Sequence, residues 1–208
     1  MNKKHWKQLG LLAFVCVAAA MFAALARGNA ADEIKRLAAL MEWKQGTVVA
    51  DIGAGDGIYS FAAVEHIGAT GRVYATEIDA KKLEELKAEV TKRKLQNMVV
   101  VESKEADTNL PTACCDAIFL RRVYHHLTKP VEFDANLVRS LKPGGRLAII
   151  DFPARSGLEP VEGVPANRGG HGIPQKVVIE ELTTAGLQME KVVNDWPEND
   201  YCVLFVKK

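Results

Sequence analysis

The 208-residue sequence has almost no excess of either charge, and its few cysteines show no metal-binding spacing. Lysine and arginine together number 27 and aspartate and glutamate 26, which gives a net charge of +1. Proteins that bind nucleic acid usually present a strongly basic face, so nothing in this balance favours such a partner. We expect no bound metal, because adjacent cysteines seldom ligate one zinc ion together. All four cysteines are predicted to be buried thiols: Cys16, Cys114, Cys115 and Cys202.

Charged residues are also absent from Leu9 to Ala26, a run of 18 residues rich in Leu, Ala, Val and Phe. Its length lies between the apolar region of a signal peptide and a membrane-spanning helix. We therefore predict that residues 1–30 are a signal peptide or a membrane anchor, and that residues 31–208 form one globular domain, membrane-associated or exported. Lysines and arginines number three before the run and four after it, so the side of the membrane stays open.

Helical and strand patterns alternate from Asp32 onward. The predicted strands are 47–52, 72–78, 98–101, 116–120, 146–151, 187–195 and 201–206. Apolar strands alternating with helices are typical of a parallel sheet covered on both faces. The five-residue connection between the last two strands predicts an antiparallel hairpin. The predicted fold is α/β, a Rossmann-like doubly wound sheet of seven strands, mostly parallel, that ends in this hairpin.

The stretch VVADIGAGDGIYS at 48–60 joins an apolar strand to a helix through three glycines. Such a turn lies at the carboxyl edge of a parallel sheet, where folds of this kind bind ligands. Glycines let a ligand approach the backbone closely. The dinucleotide fingerprint Gly-x-Gly-x-x-Gly is broken, because Ile58 occupies its third glycine position. Asp51 would also repel a pyrophosphate, whereas its carboxylate suits a cationic ligand such as an ammonium or a sulfonium.

Residues 49–57, VADIGAGDG, resemble the first motif of class I S-adenosylmethionine-dependent methyltransferases. Four further stretches resemble the family's later motifs in the same order: VYATEID at 73–79, EADTNLP at 105–111, CDAIFL at 115–120 and LKPGGRL at 141–147. The resemblance covers residues 33–152 strongly and residues 174–207 more loosely. It implies S-adenosylmethionine as the cofactor, and transfer of its methyl group to an acceptor.

The resemblance also implies roles for individual acidic residues. Glu77 would hold the ribose hydroxyls, since a carboxylate can accept two hydrogen bonds from a vicinal diol. Asp107 would accept a hydrogen bond from the adenine amino group, unless it only starts a turn before Pro111. An acid before a helix is often a helix cap, a role that suits Asp79 better than Glu77. The expected cofactor site comprises Asp51, Gly53, Ala54, Gly55, Gly57, Glu77, Ile78, Asp107 and Arg121.

The implied reaction is an in-line displacement, in which the protein mainly aligns the reactants and excludes water. A general base is needed only when the nucleophile arrives protonated. The candidates are His125, His126 and His171, whose unperturbed pKa lies near neutrality. For the adjacent pair a purely structural role is an equally good interpretation.

The acceptor is predicted to be a small molecule, and the family resemblance places its pocket among residues 32–43, 121–126 and 153–173. The last segment carries Arg155, Arg168 and His171, which would suit an anionic acceptor or simply belong to a solvated loop. A lipid or quinone-like acceptor would fit a domain held near a membrane. A non-catalytic nucleotide-binding protein is one alternative function, and a nicotinamide-dependent oxidoreductase is another.

Overall fold

The computed structural model describes residues 29–155 and 157–208. The seven strands are β1 Val48–Ile52, β2 Arg72–Glu77, β3 Met98–Glu102, β4 Cys115–Arg121, β5 Leu141–Asp151, β6 Gln188–Val193 and β7 Tyr201–Val206. The helices are α1 over residues 29–40, α2 Ile58–Ile67, α3 Ala80–Lys92, α4 Pro130–Ser140 and α5 Gln175–Thr184. The strands form one sheet in the order β3-β2-β1-β4-β5-β7-β6.

The pairing of the strands confirms the predicted Rossmann-like sheet. Strands β1 to β5 pair in parallel, and β7 runs antiparallel to both β5 and β6. The carboxyl ends of β1, β2, β4, β5 and β6 therefore meet at one edge of the sheet. The glycine-rich stretch leaves β1 at this edge, which is where parallel α/β sheets bind ligands.

Side chains alternate between the two faces of the sheet, and each face carries its own apolar layer. Along β4, Ala117 and Phe119 pack into the layer formed with α1, α2 and α3, whereas Ile118 and Leu120 pack into the layer with α4 and α5. Successive strand side chains point to opposite faces, so an unbroken apolar run serves both layers. The sheet is therefore rigidly held between helices, and the positions of its strand ends are fixed.

Strand β5 begins earlier than the sequence indicated, at Leu141 and not at residue 146. Leu141 pairs with Cys115, and the register then shifts before Ala117 pairs with Arg146. The backbone between them is held by the residue that follows β7, since Gly144 N–H donates to the Lys207 carbonyl at 2.7 Å. Pairing with a neighbouring strand thus overrides the turn signal of the Lys-Pro-Gly-Gly sequence.

The cysteines are not all buried. Cys115 and Cys202 are buried, as predicted, but Cys114 is half-buried, and its Sγ lies 2.9 Å from that of Cys115. Cys16 lies outside the described residues.

The predicted signal peptide or anchor at 1–30 lies almost wholly outside the described residues. Residues 29 and 30 are described and belong to α1, where Ala30 is buried. Across 29–155 and 157–208, no helix has both the length and the apolar character of a membrane span.

Candidate active site

The glycine loop between β1 and α2 is held in a left-handed backbone conformation. Gly53, Gly55 and Gly57 have φ angles of 72°, 58° and 77°. The loop is tied to β2, because the Gly53 and Ala54 N–H groups donate to the hydroxyl and the carbonyl of Thr76, at 3.3 and 2.8 Å. Residues with a side chain rarely adopt such φ values.

Sterics separate the roles of the three glycines. A Cβ on Gly53 would lie 2.7 Å from a methyl group of Val123, and one on Gly57 would clash with Leu86. A Cβ on Gly55 would meet no atom within 4 Å. Gly53 and Gly57 therefore allow close packing within the protein, while the backbone at Gly55 faces open space that a ligand can enter.

Asp51 lies under this loop, near the end of β1, and is 3% exposed. Its Oδ2 accepts a hydrogen bond from the Ser60 hydroxyl at 2.6 Å. The pKa of Asp51 is raised from 3.8 to about 7, mainly by burial and in smaller part by the negative charges of Glu77 and Asp56, while the hydrogen bond from Ser60 lowers it. Because the pKa in the folded state is the higher one, Asp51 lowers the free energy of unfolding as the pH rises between these values.

Glu77, at the end of β2, fastens the glycine loop to the next helix. Its carboxylate accepts hydrogen bonds from the N–H groups of Gly55, Ile78 and Asp79, at 2.9, 2.8 and 2.9 Å. Asp79 is the N-cap of α3, since its side chain accepts from the Lys82 N–H, which confirms the cap predicted for it. A carboxylate has about four acceptor positions, so Glu77 can still accept from a ligand.

A mostly apolar cavity of about 210 Å³ opens beside the loop. It is lined by Ile52, Gly53, Ile78, Ser103, Lys104, Glu105, Val123, His126, Leu127, Thr128 and Phe133. Ile78 is 60% exposed, and its side chain forms part of the cavity lining. This cavity offers an apolar surface to a flat ligand group directly beyond Glu77.

Asp107 does not line this cavity. Its Oδ1 accepts from the Asn109 N–H at 2.8 Å and from the Arg139 guanidinium at 3.2 Å, so it supports a turn. Glu105, two residues earlier, lines the cavity and is fixed by the Thr128 hydroxyl at 2.6 Å. The adenine contact that the resemblance implies for Asp107 stays a prediction, and Glu105 is the acid that lines the cavity itself.

Arg121 takes part in a buried network that joins α1 to the sheet edge. Its guanidinium pairs with both oxygens of Glu33, at 3.0 and 3.1 Å, and lies 4.6 Å from the centre of the Tyr59 ring. The Tyr59 hydroxyl and the Trp196 indole N–H also donate to Glu33, each at 2.8 Å. Burial alone would raise the pKa of Glu33, but hydrogen bonds from Arg121, Trp196 and Tyr59 hold it below the usual value. Arg121 is thus held by Glu33 and Tyr59, and its predicted contact with the cofactor stays a prediction.

The three candidate histidines lie together beyond β4 and β5. The ring centre of His125 is 4.0 Å from that of His126 and 5.7 Å from that of His171. Partial desolvation lowers the pKa of His126, and the nearby His125 adds to this effect. Ring packing therefore favours an uncharged imidazole at His126.

Sequence reasoning missed the residue that orients His125. Asp151, the last residue of β5, is fully buried, and its Oδ1 lies 2.8 Å from His125 Nδ1. Its Oδ2 accepts the backbone N–H of His125 at 3.1 Å. A strand-ending acid facing the segment after the neighbouring strand is the signal that could have identified it.

Arg168 does not bind an anionic acceptor, as one interpretation of the sequence suggested. It is 1% exposed, and its guanidinium donates to Glu181 at 2.8 and 3.1 Å. Two further donors go to the carbonyls of Leu127 and Tyr124, at 2.8 and 3.0 Å. Arg168 therefore anchors the 153–173 segment to α5 and to the segment after β4.

Comparisons with known proteins agree with this geometry. Residues 50–149 match the family model described as a methyltransferase domain. A solved SAM-dependent methyltransferase from Aquifex aeolicus is 28% identical with a TM-score of 0.70, covering 84% of this chain and 89% of that one. The 27-O-demethylrifamycin SV methyltransferase of Amycolatopsis mediterranei is 29% identical over 165 residues, 74% of this chain and 59% of the relative. The ubiquinone/menaquinone biosynthesis C-methyltransferase UbiE of Francisella philomiragia is 26% identical over 110 residues, 52% of this chain and 44% of the relative.

The matched domain spans the glycine loop, β2 and β4, and the shared fold extends over most of the chain. Together these matches support membership of the class I S-adenosylmethionine-dependent methyltransferases. This membership makes S-adenosylmethionine the cofactor, and it disfavours the nicotinamide-dependent and non-catalytic alternatives. The methyltransferase chain spans about half the length of the two curated relatives.

The residues of this methyltransferase fit its cofactor. The open space at Gly55 gives a ligand access to the loop backbone, and Asp51 supplies a buried anion beneath it. Glu77 keeps acceptor capacity for ribose hydroxyls, and the exposed Ile78 would pack against the adenine in the adjoining cavity. Along the sheet edge, the anionic Asp51, the acceptor Glu77 and the apolar Ile78 thus follow one another in the same order as the cationic end, the ribose and the adenine of the cofactor.

Proposed function

We propose that this chain transfers the methyl group of S-adenosylmethionine to a small-molecule acceptor. One observation carries the proposal: a cofactor-competent loop after β1 and an oriented histidine–aspartate pair lie at the ends of three neighbouring strands, β1, β4 and β5. The matched relatives support a small acceptor, since one is named for a rifamycin derivative and another for ubiquinone and menaquinone biosynthesis.

Bound S-adenosylmethionine would supply a methyl group on a positively charged sulfur, which is already an activated leaving group. The protein then has mainly to bind, orient and exclude water. Asp51 and the glycine loop hold the cationic end, and Glu77 fixes the ribose. The Glu33–Arg121–Trp196 network fixes α1 to the end of β4 beside them.

His125 is the proposed general base for an acceptor that arrives protonated. The Asp151 carboxylate can only accept hydrogen bonds, so it keeps the proton of His125 on Nδ1. Nε2 then carries the free lone pair and can take a proton from a hydroxyl or an ammonium. Asp151 also stabilises the imidazolium that forms, as it orients the ring.

Asp51 provides the test of cofactor binding. We expect S-adenosylmethionine affinity to fall about tenfold for each pH unit below 7 and to be flat above 8, because only ionised Asp51 attracts a cation. Asp51→Asn should weaken binding roughly tenfold or more at pH 8 and abolish this pH dependence. Calorimetric titration between pH 5 and pH 8 measures both effects.

Ser60→Ala is the matched control for this titration. Its hydroxyl donates to Asp51 and lowers the pKa of that carboxyl, so removing it should move the midpoint of the affinity profile to higher pH. A flat profile in the native protein, together with unchanged affinity in Asp51→Asn, would contradict the assignment.

We also propose that the apolar run at 9–26, outside the described residues, brings the domain to a membrane, with a lipid or quinone-like acceptor in reach. The absence of charge over this length supports it. A reporter that is active on only one side of the membrane is fused to the C-terminus of the full chain. This fusion protein should co-sediment with membranes. It should lose that association after deletion of residues 1–28, and equal recovery in the soluble fraction would refute the proposal.

A further inference from the structure

A second, larger cavity of about 600 Å³ opens at the same edge of the sheet. It is lined by Arg122, Pro153, Ala154, Arg155, Glu198 and Asn199. These residues follow β4 and β5 and form part of the connection between β6 and β7. The cavity shares no lining residue with the one beside Ile78.

Backbone strain is concentrated around this cavity. Arg122, Glu198 and Asn199 have positive φ angles of 55°, 61° and 61°, and in the described chain only four other non-glycine residues do. Such conformations persist only where the surrounding structure enforces them, and they cluster at functional sites. Three such residues at one cavity indicate that the surrounding structure maintains the shape of the cavity despite the conformational strain.

Arg122 is one of the groups that hold it. Its guanidinium forms a two-pronged ion pair with the buried Asp200, at 2.7 and 2.8 Å, and a further ion pair with Glu198 at 2.8 Å. The charge of Arg122 is therefore already compensated within the protein. Its function at this cavity is to fix the wall.

Arg155 is the arginine of this cavity whose guanidinium has no carboxylate partner in the described chain. Its guanidinium lies 4.5 Å from the centre of the Phe152 ring, and among residues 29–155 and 157–208 it forms no ion pair. The Arg155 backbone N–H donates to the His171 carbonyl at 2.9 Å, which fixes the start of the 153–173 segment. The same Phe152 ring lies 4.8 Å from His125, so the uncompensated guanidinium and the proposed base flank one aromatic side chain.

We propose that this cavity binds the carboxylate of the acceptor through Arg155, and that the acceptor is an aromatic acid with a hydroxyl for methylation. A guanidinium matches a carboxylate in a two-pronged geometry, and the Phe152 ring lies beside both the Arg155 guanidinium and the His125 ring. This inference rests on the proposed function, because it assigns the substrate class of the same site.

The test is a comparison of acids with their amides on the full chain. Binding of 4-hydroxybenzoate and 4-hydroxycinnamate, and of their primary amides, is measured by calorimetry with S-adenosylhomocysteine present and absent. We expect the native protein to bind at least one acid tenfold or more tightly than its amide. Arg155→Gln should remove that preference. Arg155→Lys should restore only part of it, since an ammonium keeps the positive charge but lacks the paired donors of a guanidinium.

Arg72→Gln is the matched control, since Arg72 is exposed at the start of β2, on the opposite edge of the sheet. It should leave the acid preference unchanged. The inference would be overturned if the native protein bound acids and amides with equal affinity, or bound neither. It would also be overturned if Arg155→Gln kept the preference for acids. S-adenosylmethionine binding by the same preparation is measured separately, so failure of the proposed function is distinguishable from failure of this one.

Discussion

Gly53→Ala is expected to weaken S-adenosylmethionine binding by about 100-fold or more. The new methyl group would lie 2.7 Å from Val123, and alanine would have to adopt a φ of 72°. Both penalties are relieved only if the loop moves off the end of β1, which displaces the backbone that the cofactor contacts. Calorimetric titration at pH 8 measures the loss.

Two variants separate the contributions to this loss. Gly144 has a φ of 75°, but a Cβ there would meet no atom within 4 Å, so Gly144→Ala isolates the backbone strain at a remote position. It should reduce the melting temperature without changing cofactor affinity. In Gly53→Ala with Val123→Ala the clash is removed and the strain stays, so affinity should recover in part. Native affinity in Gly53→Ala alone would show that the cofactor does not contact this loop.

His125→Gln is expected to lower kcat by about 100-fold to 10,000-fold, with S-adenosylmethionine affinity unchanged. Asp151→Asn should lower kcat comparably, because an amide can donate to Nδ1 and so stabilise the wrong tautomer. Turnover is measured by mass spectrometry as label passed from isotopically labelled cofactor to acceptors in a cell extract.

His126→Gln is the neighbouring control, since His126 lines the cofactor-side cavity and has no carboxylate partner in the described chain. It should affect cofactor affinity more than kcat. If His125→Gln kept full turnover and the native pH profile, His125 would not be the general base. The melting temperature of each variant shows whether a loss of turnover comes from unfolding.

Local patterns predicted those parts of the fold that depend on local sequence. The apolar run and the glycines at 48–57 specify a strand and a turn within a few residues, and both are where the sequence placed them. The start of β5 was missed because its first pairing, Leu141 with Cys115, depends on a partner 26 positions away in the chain. A turn sequence gives no information on that partner.

The site was less predictable than the fold, because its side chains are chosen by tertiary contacts. Asp151 and Glu33 are ordinary acids in sequence, and only the neighbouring strand and helix make them a base-orienting group and an anchor of α1. Arg168 is the reverse case. Its setting in a Pro- and Gly-rich loop suggested an exposed cation, but Glu181 and two carbonyls bury it completely.

The contacts of Glu33 limit how far this chain can be shortened from its N-terminus without loss of structure. Four hydrogen bonds from α2, β4 and the β6–β7 connection converge on that one carboxylate, and three positions earlier Ala30 is 1% exposed. Cutting at the predicted boundary of residue 30 would fray the first turn of α1. Loss of Glu33 itself would leave the buried guanidinium of Arg121 without this partner, which would lower the free energy of unfolding by about 3–5 kcal/mol. Shortened versions made for solution work therefore have to keep residues 29–40 intact.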